Sequence, residues 1–106
     1  MVLNDERIEE AADALLEAAP GSQVVLFGSY ARGTARQDSD LDFLVVEPRV
    51  IARRAEMIRL AEVLRSRGIY ADVLVLSARQ FDDWRDVPGS AVYDAAREGR
   101  VFRGSS

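Results

Sequence analysis

The 106 residues include no cysteine, no histidine and no lysine, and all 14 basic side chains are arginine. Without cysteine there are no disulfides and no thiol chemistry, and the redox compartment is left open. Together the three absences exclude a cysteine nucleophile, a histidine base, a Cys/His zinc site and a lysine Schiff base. Any catalysis must rest on carboxylates, hydroxyls, arginines and metal ions. Long apolar runs are missing as well, and no basic segment followed by an apolar one opens the chain. Neither a membrane span nor a signal peptide is therefore expected, and the cytoplasm is the expected compartment. Positive charge is also short: the formal net charge is −4 and the sequence pI about 4.8. That balance argues against a nucleic-acid partner bound without regard to sequence, which would need a basic face. Arg49, Arg53, Arg54 and Arg59 could still gather into a basic patch near a site, although solvated helix surface is the preferred reading.

With 48% hydrophobic and 30% charged residues, the chain has the size and apolar content of one domain over residues 1–106. A chain of this length buries about two-thirds of its unfolded surface, enough for one modest core. Asn4 is placed to cap a helix over residues 5–19, where Ile8, Ala11, Ala12, Leu15, Leu16 and Ala19 recur at helical spacing before Pro20-Gly21. Residues 23–27 read as a strand. Residues 41–46 read as a second strand, apolar on both faces and hence central, broken by Glu47-Pro48. A long helix is expected over residues 49–67, with Met57, Leu60, Ala61 and Leu64 buried, Glu62 paired with Arg59 or Arg65, and Gly68 at C′. Residues 70–76 form a third strand, and Ser77-Ala78-Arg79-Gln80 has the pattern of a capping box before a short helix to about Trp84. Ser90 is expected to cap a helix through Glu98, followed by a final strand over residues 100–103 and a tail. Phe81, Trp84, Tyr93 and Phe102 are assigned to the core.

The chemistry is concentrated between Phe27 and Val46, FGSYARGTARQDSDLDFLVV. An apolar strand runs into Gly28-Ser29, ten residues follow, and Asp40-Leu41-Asp42 opens the next strand. Glycine lets backbone come close to a phosphate, and a helix starting just after it turns unpaired N–H groups toward an anion. Alternation along a strand puts Asp40 and Asp42 on one side, about 6 to 7 Å apart at the backbone. Their repulsion is on the order of 2 to 3 kcal/mol at an effective dielectric of about 20, and a hard divalent ion bound by both would reverse it, so a magnesium site is expected. Asp72 shares parity with Leu74 and Leu76 as Asp42 does with Leu44 and Val46, so adjacent strands would bring three carboxylates together. Two rival motifs fail. A phosphate-binding P-loop on Gly28 and Gly33 lacks its lysine, and a calcium hand on Asp38, Asp40 and Asp42 would need glycine at Phe43 and glutamate at Arg49.

Gly28-Ser29, the ten-residue gap and Asp40-x-Asp42 resemble the signature of the DNA polymerase β-like nucleotidyltransferase superfamily. Gly28-Ser29-Tyr30-Ala31-Arg32-Gly33 with Asp38-Ser39-Asp40 resembles its minimal nucleotidyltransferase branch. The resemblance covers the signature directly and nearly the whole chain more loosely. It implies an α+β nucleotidyltransferase fold, a mixed β-sheet packed by helices. It further implies that Gly28 and Ser29 bind the triphosphate of a nucleotide, ATP foremost, and that Asp40 and Asp42 hold two Mg2+ ions. The candidate for the third, later aspartate that completes the catalytic metal site is Asp72. Arg32 is a candidate for the triphosphate through its planar fork, or for a surface ion pair with Asp38. Ser29 could also cap the helix it starts, and Tyr30 and Tyr70 flank the site and could contact a base.

Minimal members of the family are similar to antitoxins paired with a HEPN-domain toxin, in which the nucleotidyltransferase places AMP on a toxin tyrosine. Nothing after Leu76 is long enough for a second domain that would hold an acceptor, so something else must present it. The first expectation is therefore a protein-modifying enzyme whose partner is a HEPN toxin. Two alternatives stay open: nucleotidyl transfer to a small molecule such as an aminoglycoside, and an antitoxin that acts by binding alone. Nucleotide preference, the number of nucleotides moved and a homo-oligomeric state are left open.

Overall fold

Three helix starts are made by the side chains expected to make them. In the computed structural model, which describes residues 4–36 and 40–103, Asn4 Oδ1 accepts from the Arg7 N–H at 2.9 Å and heads α1 (Asp5–Ala18). Ser77 and Gln80 form the reciprocal capping box, at 3.1 and 3.0 Å, that starts α4 (Ala78–Trp84). Ser90 accepts from the Tyr93 N–H at 3.0 Å and starts α5 (Ala91–Glu98). Each cap satisfies a backbone donor that the helix itself leaves unused. The expected tail and Asp38, proposed partner of Arg32, lie outside the described residues.

Between these helices run β1 (Gln23–Phe27), a four-residue α2 (Ser29–Arg32), β2 (Leu41–Glu47), α3 (Arg53–Arg65) and β3 (Ala71–Ser77), with β4 (Arg100–Arg103) last. The strands form a mixed sheet in the order β3-β2-β1-β4. β1 is antiparallel to both β2 and β4, and the crossover through α3 makes β3 parallel to β2. Helices cover both faces, as the two apolar faces of β2 require. Leu41, Phe43 and Val45 pack with Ile8 and Leu15 of α1 and with Leu60 and Leu64 of α3. Leu44 and Val46 pack with Leu76, Phe81 of α4, and Val92 and Ala95 of α5. No helix among the described residues is long and apolar enough to cross a membrane.

Two expectations are corrected. α3 begins at Arg53 and ends at Arg65. Residues 49–52 precede it outside any helix or strand, with Ile51 fully exposed. Ala52 at the cap position can offer no side-chain bond, so nothing in the sequence marks the start. The other end closes as expected on Gly68 (φ +75°), with Gly68 N–H bonded to Arg65 O at 2.9 Å and Ile69 N–H to Leu64 O at 3.0 Å. Trp84, assigned to the core, is 51% exposed: α4 stops at that residue and its buried contact is Phe81. For Arg49, Arg53, Arg54 and Arg59 the preferred reading holds: all four are exposed. Arg53 Nε donates to Val75 O at 3.0 Å, and Arg59 donates to Ala18 O at 2.9 Å and to both oxygens of Glu56, so these two tie α3 to its neighbours. Glu62 pairs with Arg65 at 2.9 Å, the second of its two expected partners.

Candidate active site

β1 delivers its last residue, Phe27, opposite Asp42, and Asp42 in turn stands opposite Asp72 of β3. Side chains at paired positions project to the same face, so the three form one rank at the end of the sheet, on the side covered farther back by α4 and α5. Immediately after Phe27 the chain turns at Gly28, with φ +77° and ψ −155°. A Cβ built there would lie 2.5 Å from Oδ2 of Asp42. Glycine is thus required twice, for a backbone angle that side chains avoid and for the space the carboxylate occupies.

Gly28 holds the N-cap position of α2, which corrects the idea that Ser29 is the cap: Ser29 is the first helical residue. Gly33 ends the helix in the left-handed conformation at φ +74°. The turn is closed by Thr34 N–H on Ser29 O at 2.9 Å.

The electrostatics show the acids acting on one another. Burial pushes the Asp42 carboxyl above its ordinary range, the charges of Asp72 and then Asp40 push it further, and Arg32 pulls it back. Asp40 lies just before β2, exposed, and with Asp72, Tyr70 and Arg65 it lines a shallow cavity of about 160 Å³. Among the described residues no three carboxylates stand close enough to hold one ion as they are placed. The acids share an edge and an electrostatic field, and the in-register pair Asp42 and Asp72 is its centre. Every side-chain donor in this set is a carboxylate oxygen, the hard ligand that suits Mg2+.

Of the flanking candidates, Tyr70 is exposed beside Asp40 and Asp72, whereas Tyr30 packs against the main core. Arg32 pairs with Glu98, Nη1 to Oε2 at 3.3 Å. Glu98 was not singled out from the sequence, because the two positions are 66 residues apart and no local spacing connects them.

The model of the nucleotidyltransferase domain family matches residues 8–98. Among solved structures, a chain of a toxin–antitoxin complex with AMP-PNP is 26% identical, with a TM-score of 0.61 over 97% of this chain and 75% of that one. A chain of a tyrosine-to-alanine variant of the MntA–HpeT toxin–antitoxin is 28% identical, with a TM-score of 0.58 over 98% of this chain and 75% of that one. A third, from a Shewanella oneidensis complex of a tri-AMPylated HEPN toxin with an MNT antitoxin, is 18% identical, with a TM-score of 0.59 over 97% and 74%, a likeness of fold alone. No curated protein matches the sequence. The family match spans the glycine turn and all three aspartates on the mixed sheet just described, and the chain belongs to the nucleotidyltransferase domain family.

Proposed function

We propose that this nucleotidyltransferase is a Mg2+-dependent protein adenylyltransferase that moves AMP from ATP onto a hydroxyl of a partner protein, a tyrosine of a HEPN-domain toxin. The observation that carries the reading is the in-register pair Asp42 and Asp72 beside a glycine turn that has no room for a side chain. The similar solved structures at 26% and 28% identity support the partner class: both are toxin–antitoxin complexes, one of them with AMP-PNP.

Asp42 and Asp72 are the facing carboxylates that would hold Mg2+, with Asp40 a further candidate on the same edge, and the ion when bound would supply charge neutralisation along the triphosphate and acidify the attacking hydroxyl. The chain's own groups do the rest. The Gly28 backbone, the Ser29 hydroxyl and the Arg32 fork, all within the one short turn of α2, would bind phosphate oxygens. Asp72, exposed on the edge strand, receives the acceptor's proton. The acceptor oxygen then bonds to the α-phosphorus, the α–β anhydride bond breaks and pyrophosphate leaves. Such a transfer needs orientation and charge compensation more than covalent chemistry, which suits a site built from carboxylates and a turn.

The test combines the purified protein with a purified HEPN-domain toxin, α-labelled ATP and Mg2+. Label is expected on a tyrosine of the partner and is lost in Asp42→Asn. Neutralisation of the toxin by Asp42→Asn without any label transfer would replace this reading with an antitoxin that acts by binding. Label found only on an added aminoglycoside would replace it with small-molecule transfer.

A further inference from the structure

The last turn of α5 carries a base, Arg97, and then an acid at its final position. The last turn of a helix presents carbonyl groups and the negative end of its dipole, so a carboxylate there is set against the local field. Glu98 occupies that last position. Such a local misfit often marks a residue retained for another task.

The carboxylate meets Arg32 of α2, Nη1 to Oε2 at 3.3 Å, with both side chains about half exposed. The Glu98 end of the pair is held by packing and the Arg32 end by a backbone turn. Val92 and Ala95 bury α5 against the sheet. The next residue, Gly99, has no space for a Cβ, which would fall on Val25 Cγ1 and Ala95 O. The end of α5 is thereby pressed onto β1, the strand that leads into Gly28. Arg32 is the final residue of α2, fixed by the left-handed turn at Gly33, and its charge is felt at Asp42. The guanidinium therefore stands within electrostatic reach of Asp42 and in contact with a carboxylate brought from the other end of the chain.

We propose that Glu98 is a positioning residue of the nucleotide site, holding the Arg32 guanidinium by one nitrogen beside the glycine turn so that the rest of its planar fork receives a phosphate. The inference rests on the reading of Arg32 as a triphosphate ligand. An arginine side chain gives up much rotamer freedom when a ligand immobilises it, and an anchor already in place removes part of that cost from binding. A single half-exposed contact adds little to folding, so its loss is read in nucleotide affinity.

The experiment measures the Kd of AMP-PNP with Mg2+ by calorimetry for the wild type, Glu98→Ala, Glu98→Asp, Arg32→Ala and the double variant Arg32→Ala/Glu98→Ala. Glu98→Ala is expected to raise Kd about three- to tenfold, with the melting temperature unchanged within about 2 °C. The effect is absent when Arg32 is already alanine, which a direct contact between Glu98 and nucleotide would not produce. Glu98→Asp keeps the charge and restores part of the affinity. In steady-state transfer, Glu98→Ala raises the KM for ATP and leaves kcat in place. Affinity in Glu98→Ala equal to or tighter than the wild type, or an equal loss in the Arg32→Ala background, overturns the positioning role while the proposed function stands. Failure of the wild type itself to bind AMP-PNP overturns both.

Discussion

Asp42 and Asp72 stand directly opposite each other across the parallel pair of β2 and β3. Like charges in that position oppose folding, by roughly 0.2 to 1 kcal/mol once solvent screening is allowed for. Asp42 carries the sign of this conflict: burial, Asp72 and Asp40 all lift its pKa above the ordinary 3.8. An acid whose folded pKa is raised destabilises the fold progressively as pH rises from its unfolded value through its folded one. Asp72→Asn should therefore lower the pKa of Asp42 and raise the melting temperature at pH 7 by about 1 to 5 °C, while abolishing AMP transfer. Carboxyl NMR titration in metal-free buffer reads the first effect and calorimetry the second. An Asp42 titration identical in both proteins would show that the register does not couple them.

Two glycines of the signature separate backbone strain from crowding. Gly28 and Gly33 both have positive φ, but a Cβ at 33 meets nothing within 4 Å, whereas one at 28 meets the Asp42 carboxylate. The ψ of −155° at Gly28 also puts it in a region populated almost only by glycine. Gly28→Ala should cost about 1 to 3 kcal/mol, a melting temperature lower by roughly 5 to 15 °C, and should abolish AMP-PNP binding by displacing Asp42. Gly33→Ala should cost about 1 kcal/mol and leave binding within twofold or so. Equal binding losses in the two variants would mean that the crowding at Asp42 has no role.

Legibility in the sequence followed the range of the interaction responsible. Caps at Asn4, Ser77 and Ser90 and the stop at Gly68 are local, made within three or four residues, and all were readable. The alternation in Leu41 to Val46 showed a strand buried on both faces, and the parity of Asp72 with Leu74 and Leu76 put it on the Asp42 face before any pairing was known. The start of α3 was hidden because Ala52 offers no cap and Pro48 gave a break without saying where the helix resumes. Trp84 misled because burial depends on where a helix stops over the sheet. Glu98 was invisible because its partner lies across the fold on α2.

The capping box at Ser77 joins two functions of the chain in one residue. Ser77 ends β3 and starts α4, whose Phe81 covers the second core with Leu44 and Val46. Removing the hydroxyl leaves the Gln80 N–H without its acceptor, so Ser77→Ala should cost about 1 kcal/mol. Gln80→Ala, which loses only the return bond to the Ser77 N–H, should cost less. Urea midpoints read both. A Ser77→Ala midpoint unchanged from wild type would show that α4 is held by Phe81 alone.

At the far end of β2 from the aspartates, Oε2 of Glu47 is buried and accepts no hydrogen bond from any described residue, so the contact with Glu56 is one that Glu47 donates when protonated. Burial, followed by a hydrogen bond to Glu56 and repulsion from it, pushes the Glu47 pKa up to about 7. The hydrogen bond from Arg59, then that from Glu47, brings Glu56 down to about 2. The two shifts act in different pH windows. Glu47, raised above its unfolded value of 4.5, lets stability fall as pH climbs from there to about 7 and is level above that. Glu56, lowered, contributes stability above about 4.5 that is lost as pH drops toward 2. Glu47→Gln is neutral at every pH and keeps a donor for Glu56, so it escapes the first window only. Its stability relative to wild type should improve between pH 5 and pH 8 by on the order of 1 kcal/mol, allowing for solvent access. Urea unfolding at the two pH values measures the gap, and an identical difference at both would mean that Glu47 is already ionised in the folded protein at pH 5.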